Sequence, residues 1–213
     1  MSNDVFGSQI QGALFEYEGE SVPLLALRDN YKVTQSNQMI NMRHNLDKME
    51  KKIIQCVISL IDSKEDQRIT PIAIEVQSLA KIIGVRANNL YRRVEEAVAN
   101  LQTKYATEIL DGGKIIKRYN WVDSATYIEG TGIIVIKLAN DIQDHLLLLE
   151  KDFTQYHLKY TIRMNNIYSI RLYELLKQVY EKQTAYSNSN ITTHVYSIKK
   201  LREILDINEN EYI

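Results

Sequence analysis

The sequence has one cysteine, two prolines and eight glycines among its 213 residues. The single thiol, Cys56, has no partner for an internal disulfide and falls within an apolar helical pattern, so a reduced and buried thiol is expected. The low glycine and proline content excludes a fibrous or low-complexity chain. With 45% apolar and 25% charged residues, the composition is that of a folded globular protein.

The sequence also lacks a long apolar run and an excess of charge of either sign. No stretch approaches the roughly 20 apolar residues of a membrane span, and residues 1–11 lack the basic start and apolar run of a signal peptide. These features predict a cytoplasmic protein with no membrane partner. The net charge is −1, so any binding to DNA requires cations gathered on one face.

The residue patterns of metal sites and of common catalytic centres are also missing. The acidic residues Asp141 and Asp144 are interpreted as the surface of a helix, where they lie near a favourable N-terminus. There is no Gly-rich phosphate loop and no Gly-x-Ser-x-Gly motif. The histidines are scattered, without metal-ligand spacing, at His44, His145, His157 and His194. We therefore expect no cofactor, no metal and no enzymatic activity.

Residues 76–104 contain two helical patterns around one tight turn. Leu79, Ala80 and Ile83 form the apolar side of a short helix, and a longer apolar stripe begins at Leu90. Gly84 tolerates the positive φ that ends a helix sharply, and the small Ala80 allows the second helix to approach closely. This spacing predicts a helix-turn-helix.

The start of the second helix carries residue types that hydrogen-bond phosphates and base edges. The alternative is a solvated helix face, in which Glu95 and Glu96 pair with the arginines three or four residues away. The candidate DNA-binding residues of this helix are Arg86, Asn88, Asn89, Tyr91, Arg92 and Arg93.

A hairpin follows, with strand-forming residues 105–110, the turn Asp111-Gly112-Gly113 and a return strand over 114–121. We interpret it as the wing, with Lys114, Lys117 and Arg118 as further candidate phosphate contacts. Alternatively, these charges only keep an exposed strand soluble. Residues 127–138 are expected to complete the same small antiparallel sheet. The predicted fold class is α+β and mostly helical, with a winged helix-turn-helix domain followed by an incomplete second winged-helix domain.

Helices are also predicted over about 46–62, from a cap at Asn140, over about 165–181 and from a cap at Ser197. The apolar side of the 165–181 helix is assigned to Ile167, Ile170, Tyr173, Leu176, Val179 and Tyr180. Base stacking by the 14 tyrosines is the alternative to a half-buried core role for the tyrosines of this helix. Residues 1–32 show no sustained period and are expected to form a loosely ordered arm.

Several strings, in order and at matching separations, resemble the Rep_3 family of plasmid replication initiators. The most specific are Phe153-Thr154-Gln155-Tyr156 and Tyr168-Ser169-Ile170-Arg171-Leu172-Tyr173-Glu174-Leu175-Leu176. Others lie at 33–40, 44–54, 80–94, 121–122, 147–152 and 201–205. The resemblance covers about Val33 to Tyr212.

The resemblance implies two tandem winged-helix domains: residues 33–163 for dimerisation and DNA-backbone contact, and residues 164–213 for the start of a second domain. The second domain reads origin repeats in the family, and its recognition helix would follow Tyr212. The implied partners are double-stranded origin DNA, a second copy of the chain, and the host replication initiator and helicase. The alternatives are a dimeric winged-helix transcriptional regulator and a dimerisation module with little affinity for DNA.

Overall fold

The computed structural model describes residues 14–85, 89–184, 193–207 and 210–211. The helices are α1 (Asn37–Asn41), α2 (Lys48–Ile58), α3 (Val76–Ile83), α4 (Leu90–Leu101), α5 (Lys159–Ile162), α6 (Ile167–Thr184) and α7 (Ile198–Leu205). The strands are β1 (Leu14–Tyr17), β2 (Glu20–Pro23), β3 (Lys32–Ser36), β4 (Arg43–His44), β5 (Ile72–Glu75), β6 (Tyr105–Leu110), β7 (Ile115–Asn120), β8 (Val122–Ile128), β9 (Ile133–Leu138) and β10 (Phe153–His157). Within the described ranges, no helix is long and apolar enough to cross a membrane.

Helix α2 lies at the centre of the core, where it contacts α3, α4 and β3. A capping box begins it: Asp47 accepts a hydrogen bond from the Glu50 amide at 2.8 Å, and Glu50 accepts one from the Asp47 amide at 2.8 Å. Ile53, Val57 and Cys56 are fully buried, and burial raises the pKa of the Cys56 thiol. The predicted helix and buried thiol are confirmed.

The described strands form four sheets, two of two strands (β1–β2 and β3–β10) and two of three strands. The two predicted hairpins lie in different three-stranded sheets, so the prediction of one small sheet is wrong. The strand before the helix-turn-helix, β5, pairs with β9, and β9 pairs with β8. The predicted 105–120 hairpin is present as β6 and β7, but its neighbour is β4. Because the hairpin bonded to β5 is the one that packs on α4, the wing of the helix-turn-helix is β8–β9, and β6–β7 is a second hairpin.

The expectation of a loosely ordered arm is wrong for residues 14–27, and residues 1–13 lie outside the described part. Strands β1 and β2 form a hairpin that packs on the β5–β9–β8 sheet. Val22 is buried against Ala73 and Val135, and the Tyr17 hydroxyl lies 2.8 Å from Thr126 Oγ1. The segment is short, so its order comes from this contact with the sheet rather than from a long period of its own.

The helix predicted from a cap at Asn140 is also wrong. Residues 140–145 form a 3₁₀ helix that starts without a side-chain cap, and Leu148 has a positive φ of 50°. Ile142 and Leu146 are fully buried. A tight 3₁₀ turn places both in the core over a short length, whereas the backbone at Leu148 prevents helical continuation.

A buried carboxylate, Glu174, joins α6 to the rest of the core. Its Oε1 accepts hydrogen bonds from Gln35 at 3.0 Å, Gln55 at 3.1 Å and Tyr156 at 2.7 Å, and lies 2.9 Å from Lys51 Nζ. Burial alone would raise the pKa of Glu174, but the cations and hydrogen bonds outweigh it and the pKa is lowered. Glu174 is therefore an ionised carboxylate inside the core.

The neighbouring Arg171 is equally buried and holds three segments together. Its guanidinium donates to His44 Nε2 at 2.8 Å, to the Met42 carbonyl at 2.7 Å and to the Ile204 carbonyl at 3.0 Å. The buried side of α6 thus includes two charged residues, and Leu176, assigned to the apolar side, is 58% exposed. The predicted helix is confirmed, and its predicted buried side is wrong at Leu176 and at Tyr180, which is 40% exposed. The domain boundary at 163/164 stays a prediction, although α6 packs into the core formed by the residues before it.

The contact between His44 and Arg171 requires a neutral imidazole. Arginine can only donate, so Nε2 must accept and the proton lies on Nδ1. The Leu46 amide lies 3.4 Å from Nδ1, which is a long contact that this tautomer does not support. Burial, Arg171 and Lys51 all lower the pKa of His44, well below its usual value.

We therefore predict that the free energy of unfolding falls as the pH is lowered from 7.5 to 5.5. Below about 6.5 the unfolded chain takes up a proton at His44 that the folded chain excludes, a linkage of up to about 1.4 kcal/mol per pH unit. Urea denaturation at both pH values measures it. His44→Gln should reduce the dependence. An unchanged dependence in His44→Gln would contradict the assignment.

Candidate nucleic-acid interface

Helix α3 ends at the glycine that the sequence predicts. Gly84 ends α3 with φ 80° and ψ 31°, in the left-handed region, and the amides of Gly84 and Val85 bond to the Ala80 carbonyl. Leu79, Ala80 and Ile83 are buried. Gly84 has the positive φ that was predicted, so the helix-turn-helix geometry of α3 and α4 is confirmed.

Helix α4 has one buried side and one exposed side at its start. Val94, Val98 and Leu101 are buried, whereas Tyr91, Arg92 and Arg93 are exposed. The residue before the helix, Asn89, has a left-handed backbone with φ 69°. Asparagine tolerates this conformation better than most residues. Four of the six predicted residues of this segment therefore surround the first turn of α4. Arg86 and Asn88 lie outside the described residues.

The two arginines of this turn differ in their surroundings. Arg92 forms an ion pair with Glu96 at 3.1 Å, four residues later, and their side chains are 66% and 58% exposed. This pairing is the one expected for a solvated helix face, and such exposed pairs contribute little to stability. Arg93 makes no ion pair with any described residue. A DNA phosphate can therefore replace Glu96 as the partner of Arg92 with little loss of free energy, and it can also pair with Arg93.

Tyr91 lies against the tip of the wing. A Cβ built on Gly132 would lie 3.5 Å from the Tyr91 ring, and the Gly132 carbonyl accepts a hydrogen bond from the Val76 amide at 2.9 Å. The tip, residues 129–132, is therefore held against both helices. The sequence predicts these strands and the Glu129–Gly132 turn between them, but not that they form the wing, because β9 pairs with β5, which is distant along the chain.

The predicted cations of the β6–β7 hairpin lie on another sheet from the wing. Lys114 is 3.5 Å from Asp111, and Lys117 stands opposite Glu108 in the register of the two strands. The Arg118 guanidinium lies over the Tyr105 ring, 5.3 Å from its centroid. The structure therefore divides the predicted site residues between two surfaces, one on α4 and one on β7.

Comparison with known proteins relates this arrangement to a family. Residues 32–177 match the family model described as Initiator Replication protein, WH1. A curated Escherichia coli protein named Replication initiation protein is 23% identical over 187 residues, which cover 84% of this chain and 56% of the relative. The chain thus spans about half the length of that relative.

A solved structure has the same fold. The crystal structure of Pi initiator protein in complex with iteron DNA superposes with a TM-score of 0.65 at 21% identity, covering 84% of this chain and 74% of that one. Together with the helices and sheets described above, this likeness confirms the predicted α+β winged-helix fold.

The turn at Gly84 makes a prediction about stability. Gly84→Val should lower the free energy of unfolding by about 1–3 kcal/mol, because a β-branched residue is strained at φ 80°. No atom lies within 4 Å of a Cβ placed there, so the cost comes from the backbone alone. Urea denaturation measures it. Gly84→Asn is the control and should be milder; equal stability of the two variants would contradict the explanation.

Proposed function

Because the chain belongs to the family described as Initiator Replication protein, WH1, we propose that it is the DNA-binding part of a plasmid replication initiator. It binds double-stranded origin repeats and acts by assembly, without covalent chemistry on the DNA. The Pi initiator structure, a complex with iteron DNA, supports this proposal. Family membership also favours an initiator over a transcriptional regulator on the same scaffold.

The observation that carries the proposal is the first turn of α4. The helix buries Val94 and Val98 and leaves Tyr91, Arg92 and Arg93 on the surface beside the wing tip. Exposed arginines at the start of the second helix of a helix-turn-helix contact phosphates and base edges in DNA complexes. The charged residue of the wing tip is Glu129, which repels phosphate. The contacts are therefore assigned to α4, together with Asn89 and with Arg86 and Asn88 from the sequence.

The cationic hairpin supplies a secondary contact in this proposal. Neither Lys117 nor Arg118 makes an ion pair with a described residue, but Lys117 stands opposite Glu108 in the register of the strands and Arg118 stands opposite Thr107. Lys114 is paired with Asp111. Of the three predicted hairpin cations, Arg118 is thus the best placed to meet a phosphate.

The same hairpin supports dimerisation. Strand β7 is the outer strand of the β4–β6–β7 sheet, so one of its edges is unpaired within the described chain. Ile109, Ile115 and Ile116 on this hairpin are 37%, 48% and 55% exposed. An apolar and unpaired strand edge is a template for pairing with another chain. We assign it to a second copy, and the host initiator and helicase remain further proposed partners.

The DNA contact is tested with Arg92→Ala combined with Arg93→Ala. Affinity for a random duplex should fall about equally on all sequences, and the slope of log K against log salt should flatten by roughly 1–2 units, because each phosphate contact contributes about 0.9. Fluorescence anisotropy between about 50 and 200 mM salt measures both quantities. Lys64→Ala, an exposed cation elsewhere, is the control. Unchanged affinity and slope in the double variant would remove α4 from the interface.

The dimer contact is tested with Ile116→Lys. A charge on this apolar edge should shift the chain from dimer to monomer in sedimentation at matched concentrations. Leu14→Lys places the same charge on a residue that is 68% exposed elsewhere, and should leave the dimer intact. A wild-type chain that sediments as a monomer at every concentration would overturn the assignment, as would dimerisation of Ile116→Lys.

A further inference from the structure

A second group of cations lies where β3 begins and β10 ends. Here Lys32 stands opposite His157 in the register of the two strands. The Leu158 amide bonds to the Tyr31 carbonyl at 2.8 Å, and the Lys159 amide bonds to the Asp29 carbonyl at 2.7 Å. Residues 28–32 and 157–163 are thereby fixed to each other by backbone hydrogen bonds. We call the side chains of Arg28, Lys32, His157, Lys159, Tyr160 and Arg163 the β3–β10 patch.

The patch is positively charged in a chain that is nearly neutral. Among the described residues, the exposed cations Arg28, Lys159 and Arg163 are accompanied by one carboxylate of the same segments, Asp29, which lies 3.5 Å from Arg163. These four residues together carry two excess positive charges, whereas the net charge of the chain is −1. The Arg163 side chain is 82% exposed, so its pair with Asp29 is weak. The nearby Lys177 and Glu181 of α6 pair with each other at 3.0 Å and add no net charge.

An exposed aromatic ring lies among these cations. Tyr160 is 50% exposed, with the Lys159 ammonium 5.3 Å from its centroid and the His157 ring at 6.1 Å. The centroid of the Tyr173 ring, on α6, lies 6.2 Å from that of Tyr160. The tyrosine hydroxyl is neutral and donates hydrogen bonds to phosphate oxygens, which also accept from the cations around it. The patch therefore combines charge with hydrogen-bond donors on a supported surface.

This surface is distinct from the helix-turn-helix. Helix α2 contacts β3 and also contacts α3 and α4. Strand β10, in turn, packs on α1, α5 and α6. The patch is built on β3, β10 and α5, whereas α4 packs on α2, α3 and β8, so the two surfaces belong to different elements.

We propose that the β3–β10 patch binds phosphates of double-stranded DNA outside the segment contacted by α4. This rests on the proposed function, because a chain that binds no duplex needs no second contact. Lys159 and Arg163 are four residues apart around the single turn of α5, so their side chains lie on the same side. These side chains bind phosphates that lie outside the DNA segment contacted by the helix-turn-helix. Only a longer or bent duplex brings such phosphates to the patch.

The test uses Lys159→Glu combined with Arg163→Glu on two random duplexes, of about one and a half and about four helical turns. The wild-type chain should bind the long duplex more tightly and with a steeper salt slope. The variant should lose this gain, with a slope on the long duplex flatter by about 1–2 units and affinity several-fold lower. On the short duplex it should match the wild type. The control, Lys64→Glu with Lys199→Glu, makes the same change of charge at exposed sites outside the patch.

Two further variants keep the test decisive if charge reversal disturbs folding. Lys159→Gln with Arg163→Gln removes the charge without reversing it. This variant should also lose affinity and salt slope on the long duplex, but less than the charge-reversed variant. Asp29→Asn removes the carboxylate and should increase affinity for the long duplex. A wild-type chain that binds neither duplex would overturn the proposed function as well. Normal binding of both duplexes by the patch variants, or an equal loss in the control, would overturn the patch alone.

Discussion

The carboxylate of Glu174 is the constraint on which the packing of the described chain depends. It is fully buried and accepts from Lys51, Gln35, Gln55 and Tyr156, which come from β3, α2 and β10. A buried charge is tolerated only when its partners are in place, and removal of one partner from such a pair costs about 3–5 kcal/mol. The positions of α2, β3, β10 and α6 are therefore fixed together, and α2 in turn supports the helix-turn-helix.

Features set by neighbouring residues were predictable from the sequence. The turn at Gly84, the stripe from Val94 to Leu101 and the 111–113 hairpin turn each depend on local periodicity or on one residue's backbone preference. The pairing of β5 with β9 was not predictable in this way, because it joins residues about 60 positions apart and several β-forming segments compete for it. This competition explains why β6–β7 was assigned as the wing in place of β8–β9.

Helix α6 shows why an apolar pattern can indicate the wrong side of a helix. Its buried face contains Arg171 and Glu174, whose hydrogen-bonding partners, such as His44 and Lys51, are distant along the chain. The spacing of apolar residues carries no information about such partners, so the pattern assigned Leu176 to the buried side, although it is exposed. The candidate site, like the fold, was predictable only in its local features. The residue types around the first turn of α4 follow from the sequence, whereas their neighbour Gly132 and the separation of the hairpin cations follow only from the fold.

The distribution of charge also limits how this chain can hold DNA. At the first turn of α4 one arginine is engaged by Glu96, and on the hairpin two lysines face carboxylates, so each surface offers few phosphate contacts. Since each contact contributes a salt-dependent term of similar size, a single small surface on a chain of net charge −1 binds weakly. A second copy of the chain would present every surface twice on one duplex, and linked contacts raise affinity without any new interaction. The proposed dimerisation and the proposed β3–β10 patch would therefore both compensate for the small number of cations on each surface.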